Sequence, residues 1–359
     1  MASLSDVAKA AGVSLTTASL VLNRPKQPNR VSEACAQRVR GVAKKLGYIP
    51  NYHARSMKLG RAETIAVALD VGGGRGSGAV SELTDAYFNH LIGGIELHLR
   101  NVGFQMTLIG PDGHAKATER ALQGLGQRRF DGMIVLGVVI DPANDGLLAD
   151  SPEGAIVAIE YRGPTSVPVV EYDERHGVEL AVGHLSRLGH KRLLWVGPEG
   201  SDLPQCDGAK REALYREAAA WQGMHAETCP FPLKCEAGIP LRISQLEQAR
   251  QCVAEYLRER PRDFTGVIAY NDPVAIGVCR ALRDADLDVP GDVSVVGFDD
   301  TPAAGVADPP LTTVRQPLVE KGRLAGELAL TLLDGGRPSR PVRLDVDLVV
   351  RASSAAPIR

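Results

Sequence analysis

Seven short apolar runs rich in β-branched residues recur along the chain, and most are separated by enough residues to hold a helix. They read "TIAVALD" (64–70), "FQMTLIG" (104–110), "DGMIVLGVV" (131–139), "AIVAIEY" (155–161), "RLLWVG" (192–197), "GVIAY" (266–270) and "VSVVGF" (293–298). Helical patterns such as Leu83 to Asn101 lie between them. This alternation implies parallel sheets with helices on both faces. At 359 residues the chain is long enough for more than one core, so the reading is two doubly wound α/β subdomains.

The first 61 residues do not fit that pattern and carry a different charge. They hold eleven Lys or Arg against two acids, while the remainder holds thirty against forty-one, so a net charge of -2 conceals a basic headpiece on an acidic body. A basic surplus of this kind suits a phosphate backbone, because each cation placed near a phosphate releases condensed counterions. The segment also has its own fold signal. Ser5 is placed to cap a helix over Asp6 to Ala11, Gly12 permits a tight turn, and Ser14 caps a second helix with Val13, Ala18, Val21 and Leu22 as its apolar stripe. A third helix from Ser32 to Leu46 would bury Val39, Val42 and Leu46, with Gly47 past its end. Three short helices sharing one small core form a helix-turn-helix headpiece. In that geometry the amino-terminal turn of the second helix enters the major groove. Leu15, Thr16, Ser19 and Leu20 then point toward base edges or phosphates, and Ser14, Thr17 and Asn23 complete the candidate contact set. Packing on the headpiece core is the alternative for Leu20.

"LSDVAKAAGVSLTTASLVLN" and "VSEACAQRVRGVAKKLGYIPNYHARSMKLGR", followed by "LGHKRLLWVG", "AYNDPVAIGVCRAL", "VPGDVSVVGFDDTP" and "PPLTTVRQPL", resemble the lactose-repressor (LacI/GalR) family of bacterial transcription regulators over nearly the whole chain. The resemblance implies a headpiece over 1–49, a hinge helix and linker over 50–62, and a periplasmic-binding-protein-like body over 63–359 whose two halves close on a small effector. It makes Asn51 to Lys58 a hinge that orders on DNA, with Asn51, His53, Ala54 and Arg55 as DNA contacts and Met57 where relatives insert a leucine into the minor groove. A flexible linker is the alternative for the same residues. The implied function is an effector-responsive transcription regulator, a repressor, that binds a near-palindromic operator in double-stranded DNA as a homodimer.

In open α/β sheets, ligands bind beyond the carboxyl ends of the strands. The residues at those ends are Asp70, Tyr87, Phe88, Arg162, Asn271 and Asp299. By resemblance, Asp299 in "GFDD" and Asn271 in "YND" are effector contacts, and "AYF" at 86–88 is similar to the purine-repressor branch, where aromatic residues pack on the effector; core packing suits Tyr87 and Phe88 as well. Many relatives carry an effector-binding arginine in an R-x-x-G pattern ahead of the helix that begins near Ala209. Here "PQCDGAKREAL" puts Cys206 at that point, so an anchor is missing, with Asp202, Gln205 or Arg162 as substitutes.

Enzyme chemistry has little support. There is no HExxH, no G-x-S-x-G and no GK[ST], and Glu171 and Asp173 in "VVEYDE" read as a solvated face rather than an acid/base pair. Gly74, Gly76 and Ala79 within "VGGGRGSGAV" satisfy G-x-G-x-x-A, but no helix pattern starts immediately after them, and a lid or insertion fits better. No catalytic residue, cofactor or metal is therefore expected. The six cysteines fall in no metal-ligand spacing and read as reduced packing thiols. No leader or membrane-length apolar window is present, which points to the cytoplasm, and no heptad tail supports assembly beyond a dimer.

Overall fold

The computed structural model describes residues 2–23, 31–50, 56, 60–69, 85–110, 117–136, 155–159, 167–199, 207–232, 241–336 and 341–358. The chain divides into two compact units, Met1–Glu63 and Thr64–Arg359.

The first unit contains helices α1 (Leu4–Ala11), α2 (Leu15–Asn23) and α3 (Glu33–Lys45). The cap of α1 is Ser3 rather than Ser5. Asp6 stands three residues after Ser3, so the Ser3 hydroxyl accepts from the Asp6 amide while the Asp6 carboxylate accepts from the Ser3 amide. Gly12 ends α1 at φ +65°, a left-handed conformation that suits glycine. Ser14 caps α2, its hydroxyl accepting from the Thr17 amide at 3.1 Å. The shared core is made of small side chains: Val7, Ala8 and Ala11 from α1, Ala18 and Val21 from α2, and Ala36, Val39 and Ala43 from α3. The buried stripe of α3 thus runs through 36, 39 and 43. That phase leaves Val42 half-buried on the flank and Leu46, the C-cap residue, 42% exposed, contrary to the expected burial of both. Arg38 donates from Nε to the Ala11 carbonyl at 3.1 Å and ties α3 to the carbonyl end of α1.

The second unit runs β1 (Thr64–Leu69), α4 (Ala86–Val102), β2 (Gln105–Ile109), α5 (Ala117–Gly126), β3 (Gly132–Leu136), β4 (Ala155–Ile159) and β5 (Val169–Tyr172). It continues with α6 (Glu174–Leu188), β6 (Arg192–Pro198), α7 (Asp207–Trp221), β7 (His225–Phe231), α8 (Leu241–Glu259), β8 (Gly266–Ala269), α9 (Asp272–Asp284), β9 (Ser294–Asp299) and α10 (Pro302–Val306). The last elements are β10 (Thr312–Arg315), α11 (Leu318–Leu333), β11 (Val342–Leu344) and β12 (Asp347–Val349). All seven apolar runs are strands, and they fall into two six-stranded sheets, ordered β11-β5-β4-β3-β1-β2 and β12-β10-β9-β8-β6-β7. Every pairing is parallel except that of β10 with β12.

Period-two side-chain alternation explains why the runs are continuously apolar. In β1, Ile65, Val67 and Leu69 pack with α4 and α11, while Ala66 and Ala68 face Ala117 and Ala121 of α5. In β6, Leu194 and Val196 pack with α8 and α9, and Leu193 and Trp195 pack with α6 and α7.

Helices α4 and α11 cross over the first sheet at backbone contact. A Cβ on Gly94 would land on the Val319 carbonyl, and one on Gly322 on the Leu91 carbonyl. Gly322→Ala should therefore destabilise the body by about 1–3 kcal/mol through overpacking. Urea unfolding checks this, and an unchanged midpoint would mean that the two helices separate at no cost.

Candidate functional site

Three chain segments pass between the two sheets of the second unit: β5 to α6, β10 to α11, and β11 to β12. A cluster of polar and aromatic side chains sits where these crossings meet the carboxyl ends of β5, β8 and β9.

Asp299 ends β9 and is 2% exposed. Its Oδ1 accepts from Gln316 Nε2 at 2.6 Å, and Gln316 Oε1 accepts from the buried Lys321 ammonium at 2.9 Å. The amide orientation follows from chemistry, since an ammonium only donates and a carboxylate only accepts. Lys321 Nζ stands 4.4 Å from the centre of the Tyr172 ring and 5.9 Å from that of Tyr87. Asp299 and Asp300 both have positive φ, +108° and +54°. The second carboxylate holds this strained turn by pairing with Arg315 at 2.7 Å and Arg351 at 2.6 Å.

Beside this chain lies Arg211, 3% exposed, one turn into α7. Its guanidinium stacks 4.1 Å from the centre of the Phe298 ring and 4.7 Å from that of Tyr270. It donates to Glu174 at 3.1 Å, to the Tyr172 hydroxyl at 2.5 Å and to the Tyr270 carbonyl. Burial works against the charge, yet Tyr172, Glu174, Tyr270 and Asp299 hold the guanidinium well above its ordinary pKa. Sequence reasoning missed Arg211. Arg211 lies five residues after Cys206, inside the helix, and its guanidinium is engaged by Glu174, Tyr172 and Tyr270. Lys321 was missed as well.

Asn271 is 1% exposed, with both ends of its amide engaged. Oδ1 accepts from the Val274 amide at 3.0 Å and caps α9, while Nδ2 donates to Gln245 of α8 at 2.7 Å. The next residue, Asp272, accepts from Thr301 and Thr313, and burial together with the Asp299 carboxylate pushes its carboxyl up to about 7. Tyr87 and Phe88 are 3% and 6% exposed and belong to the apolar core of the first sheet. Tyr87 nonetheless turns its ring toward Lys321. Glu171 pairs with Arg343 at 2.7 Å, and Asp173 caps α6, so this carboxylate pair is structural. Asp70, Arg162, Asp202, Gln205, Cys206 and the glycine-rich 71–80 lie outside the described residues.

In the first unit, the amino end of α2 exposes Leu15 to 54% and leaves Thr16 exposed and Thr17 and Leu20 half-buried. Leu20 is not among the side chains packed on that unit's core. Ser14 spends its hydroxyl on the cap, Ser19 is 8% exposed, and the side chain of Asn23 is outside the described residues, as are Asn51, His53, Ala54, Arg55 and Met57. Among the described residues no helix is long and apolar enough to cross a membrane.

A helix-turn-helix unit joined to a two-sheet body with a polar cluster at its strand ends defines a class: a DNA reader carried on a periplasmic-binding-protein-like body. Residues 3–51 match the model for bacterial regulatory proteins of the lacI family, and residues 182–354 match the periplasmic binding protein-like domain. The chain is 31% identical over 337 residues to the HTH-type transcriptional regulator GalR of Escherichia coli (strain K12), covering 93% of this chain and 90% of that protein. It is 30% identical over 328 residues to the ribose operon repressor of the same organism, covering 90% and 91%. Among solved structures, the lac repressor dimer bound to operator and the anti-inducer ONPF superposes with a TM-score of 0.79 at 25% identity over 99% of each chain. The transcriptional regulator CelR–cellobiose complex gives 0.65 at 28% identity, covering 99% of this chain and 100% of that one. The chain belongs to the lacI family of bacterial regulatory proteins.

Removing the guanidinium tests the electrostatics of the cluster. Arg211→Met removes the buried guanidinium that Glu174 meets at 3.1 Å, while the exposed Lys210 stays at 3.0 Å, and should cost about 3 kcal/mol of stability near neutral pH. Unfolding midpoints of variant and wild type in urea check this.

Proposed function

We propose that the chain is an effector-responsive, sequence-specific transcription regulator, a repressor, in which two copies bind a near-palindromic operator. Residues 1–49 are the headpiece, 50–62 the hinge and 63–359 the effector-binding and dimerisation body. A dyad-related pair of helix-turn-helix units reads two half-sites, which gives the operator its near-symmetry. The chain catalyses no reaction and works in the cytoplasm.

The observation that carries this reading is the exposure of Leu15 at the amino end of α2, in a basic unit that has already closed its own core. An apolar side chain left outside a satisfied core at the groove-entering turn suits a contact such as a thymine methyl. Thr16 and Leu20 continue this face, with Ser14, Thr17, Ser19 and Asn23 supporting it through caps, packing and phosphates. Asn51, His53, Ala54 and Arg55 form the hinge contacts, and Met57 acts as an apolar wedge in the minor groove. In the body, Asp299, Asn271, Tyr87 and Phe88, together with Asp70, Arg162 and Asp202, surround the effector. Arg211 and Lys321 join them as cations. The relatives' printed names and ligands, which include ribose and cellobiose, support a small polar metabolite as effector.

Footprinting of the promoter beside the gene, with and without a panel of sugars and nucleosides, tests the reading; no protected site would overturn it. Leu15→Ala should weaken specific operator binding about tenfold, yet leave non-specific affinity and its salt slope unchanged, because no phosphate contact is lost. Asp299→Ala should raise the concentration of whichever compound shifts the wild-type footprint by at least about tenfold, while operator binding without that compound persists.

A further inference from the structure

Cys229 of β7 and Cys252 of α8 lie with their sulfurs 2.9 Å apart beside the second sheet, and both are free thiols. Cys229 is buried and Cys252 is partly exposed, so an oxidant reaches Cys252 first. We propose that Cys229 and Cys252 form a redox-modification site that closes to a disulfide under hydroperoxide and transmits that closure along α8 to Asn271.

The chemistry needs only the peroxide. The Cys252 thiolate attacks a peroxide oxygen; an S–O bond forms, the O–O bond breaks, and hydroxide departs to become water. The resulting sulfenic acid holds the two-electron oxidation. Cys229 sulfur then attacks Cys252 sulfur, an S–S bond forms, the S–O bond breaks, and the Cys229 proton leaves with the oxygen as water. One peroxide and two thiols give one disulfide and two waters. The hydrogen bond between the two sulfurs draws the Cys252 thiol down, and the same bond and burial push the Cys229 thiol up. These directions suit an attacking and a resolving thiol. Burial, Glu255 and Glu199 oppose the Cys252 thiolate but do not outweigh that hydrogen bond.

Transmission follows from helix geometry. Gln245 precedes Cys252 by seven residues, two turns along the same face of α8, and accepts from Asn271 Nδ2 at 2.7 Å. A covalent S–S bond is shorter than the present separation by nearly an ångström. Closure therefore draws α8 toward β7, and the packed interface with α9, where Gly277 admits the Leu246 carbonyl, passes the shift to the cap of α9.

The full chain treated with hydrogen peroxide should lose two titratable thiols and yield a cross-linked peptide pair containing Cys229 and Cys252. Amide exchange at Val274, whose N–H the Asn271 side chain accepts, should accelerate roughly threefold or more in the oxidised form and return on reduction. Cys252→Ser should abolish both effects, and Cys229→Ser should stop the oxidation at the sulfenic acid. Linkage of Cys252 to Cys235 or Cys206 instead, or a Cys229–Cys252 disulfide with unaltered exchange at Val274, would overturn the proposal. Neither readout uses DNA or effector, so the result stands apart from the assignment of operator binding.

Discussion

The hydrogen-bonded chain from Asp299 through Gln316 to Lys321 is the interaction on which the two-lobed body turns. Asp299 belongs to the second sheet, Lys321 to the helix that covers the first, and Gln316 to one of the crossings between them. Three crossings forbid the lobes from separating, but leave their angle to be set by a few side chains. A ligand that engages the Asp299 carboxylate must share it with Gln316 or displace it. Displacement frees an amide whose other end is committed to a buried ammonium. A ligand at Asp299 would therefore also meet the bond that joins the two lobes, which is the coupling that effector control requires.

The surrounding charges are costly to bury, and their pairing shows how the fold meets that cost. Arg211 lies between the rings of Phe298 and Tyr270 and meets Glu174, while Lys321 lies against Tyr172. Aromatic faces supply electron density without adding charge, so two cations and two carboxylates stay close to neutral in a poorly hydrated site. The strained Asp299–Asp300 turn is held in the same way. Asp300 spends both oxygens on arginines, leaving the Asp299 side chain aimed into the cluster.

Much of this was legible in the sequence, and the parts that were not have separate causes. Six of the eight inner strands were legible because burial on both faces demands unbroken apolar runs, as in "TIAVAL" and "SVVGF", whereas β5 ("VVEY") and β10 ("TTVR") are short and carry polar residues. The outer strands β7, β11 and β12 carry polar residues and a proline, His225–Phe231 reading "HAETCPF", since an outermost strand pairs on one side only. The α1 cap was misplaced by two residues because Ser3 and Ser5 are chemically equivalent until the partner at Asp6 is considered. Arg211 and Lys321 were illegible for a different reason. Each sits in a helix among surface-type residues, "AKREAL" and "LVEKGRL", and only the tertiary arrangement reveals that the long stem runs inward. Gly322, adjacent to Lys321, lies at the close crossing of α4 and α11, but its other neighbour Arg323 is partly exposed, so the glycine alone does not mark Lys321 as buried.

That proximity also constrains how lobe movement can occur. Helix α11 cannot slide on α4 without breaking the backbone contact at Gly94 and Gly322, so the first lobe with Lys321 moves as a rigid body. The corresponding contact in the second lobe, Gly277 against Leu246, locks α9 to α8 in the same manner. Movement of one lobe against the other then falls to the crossings at Asp173, at Gln316–Pro317 and at Asp345–Val346, which lie outside both contacts. Of these, the second carries the amide that reads Asp299. A change at the Asp299–Gln316 bond would thereby reach the lobe angle through one residue of the crossing itself, without needing a path through either core.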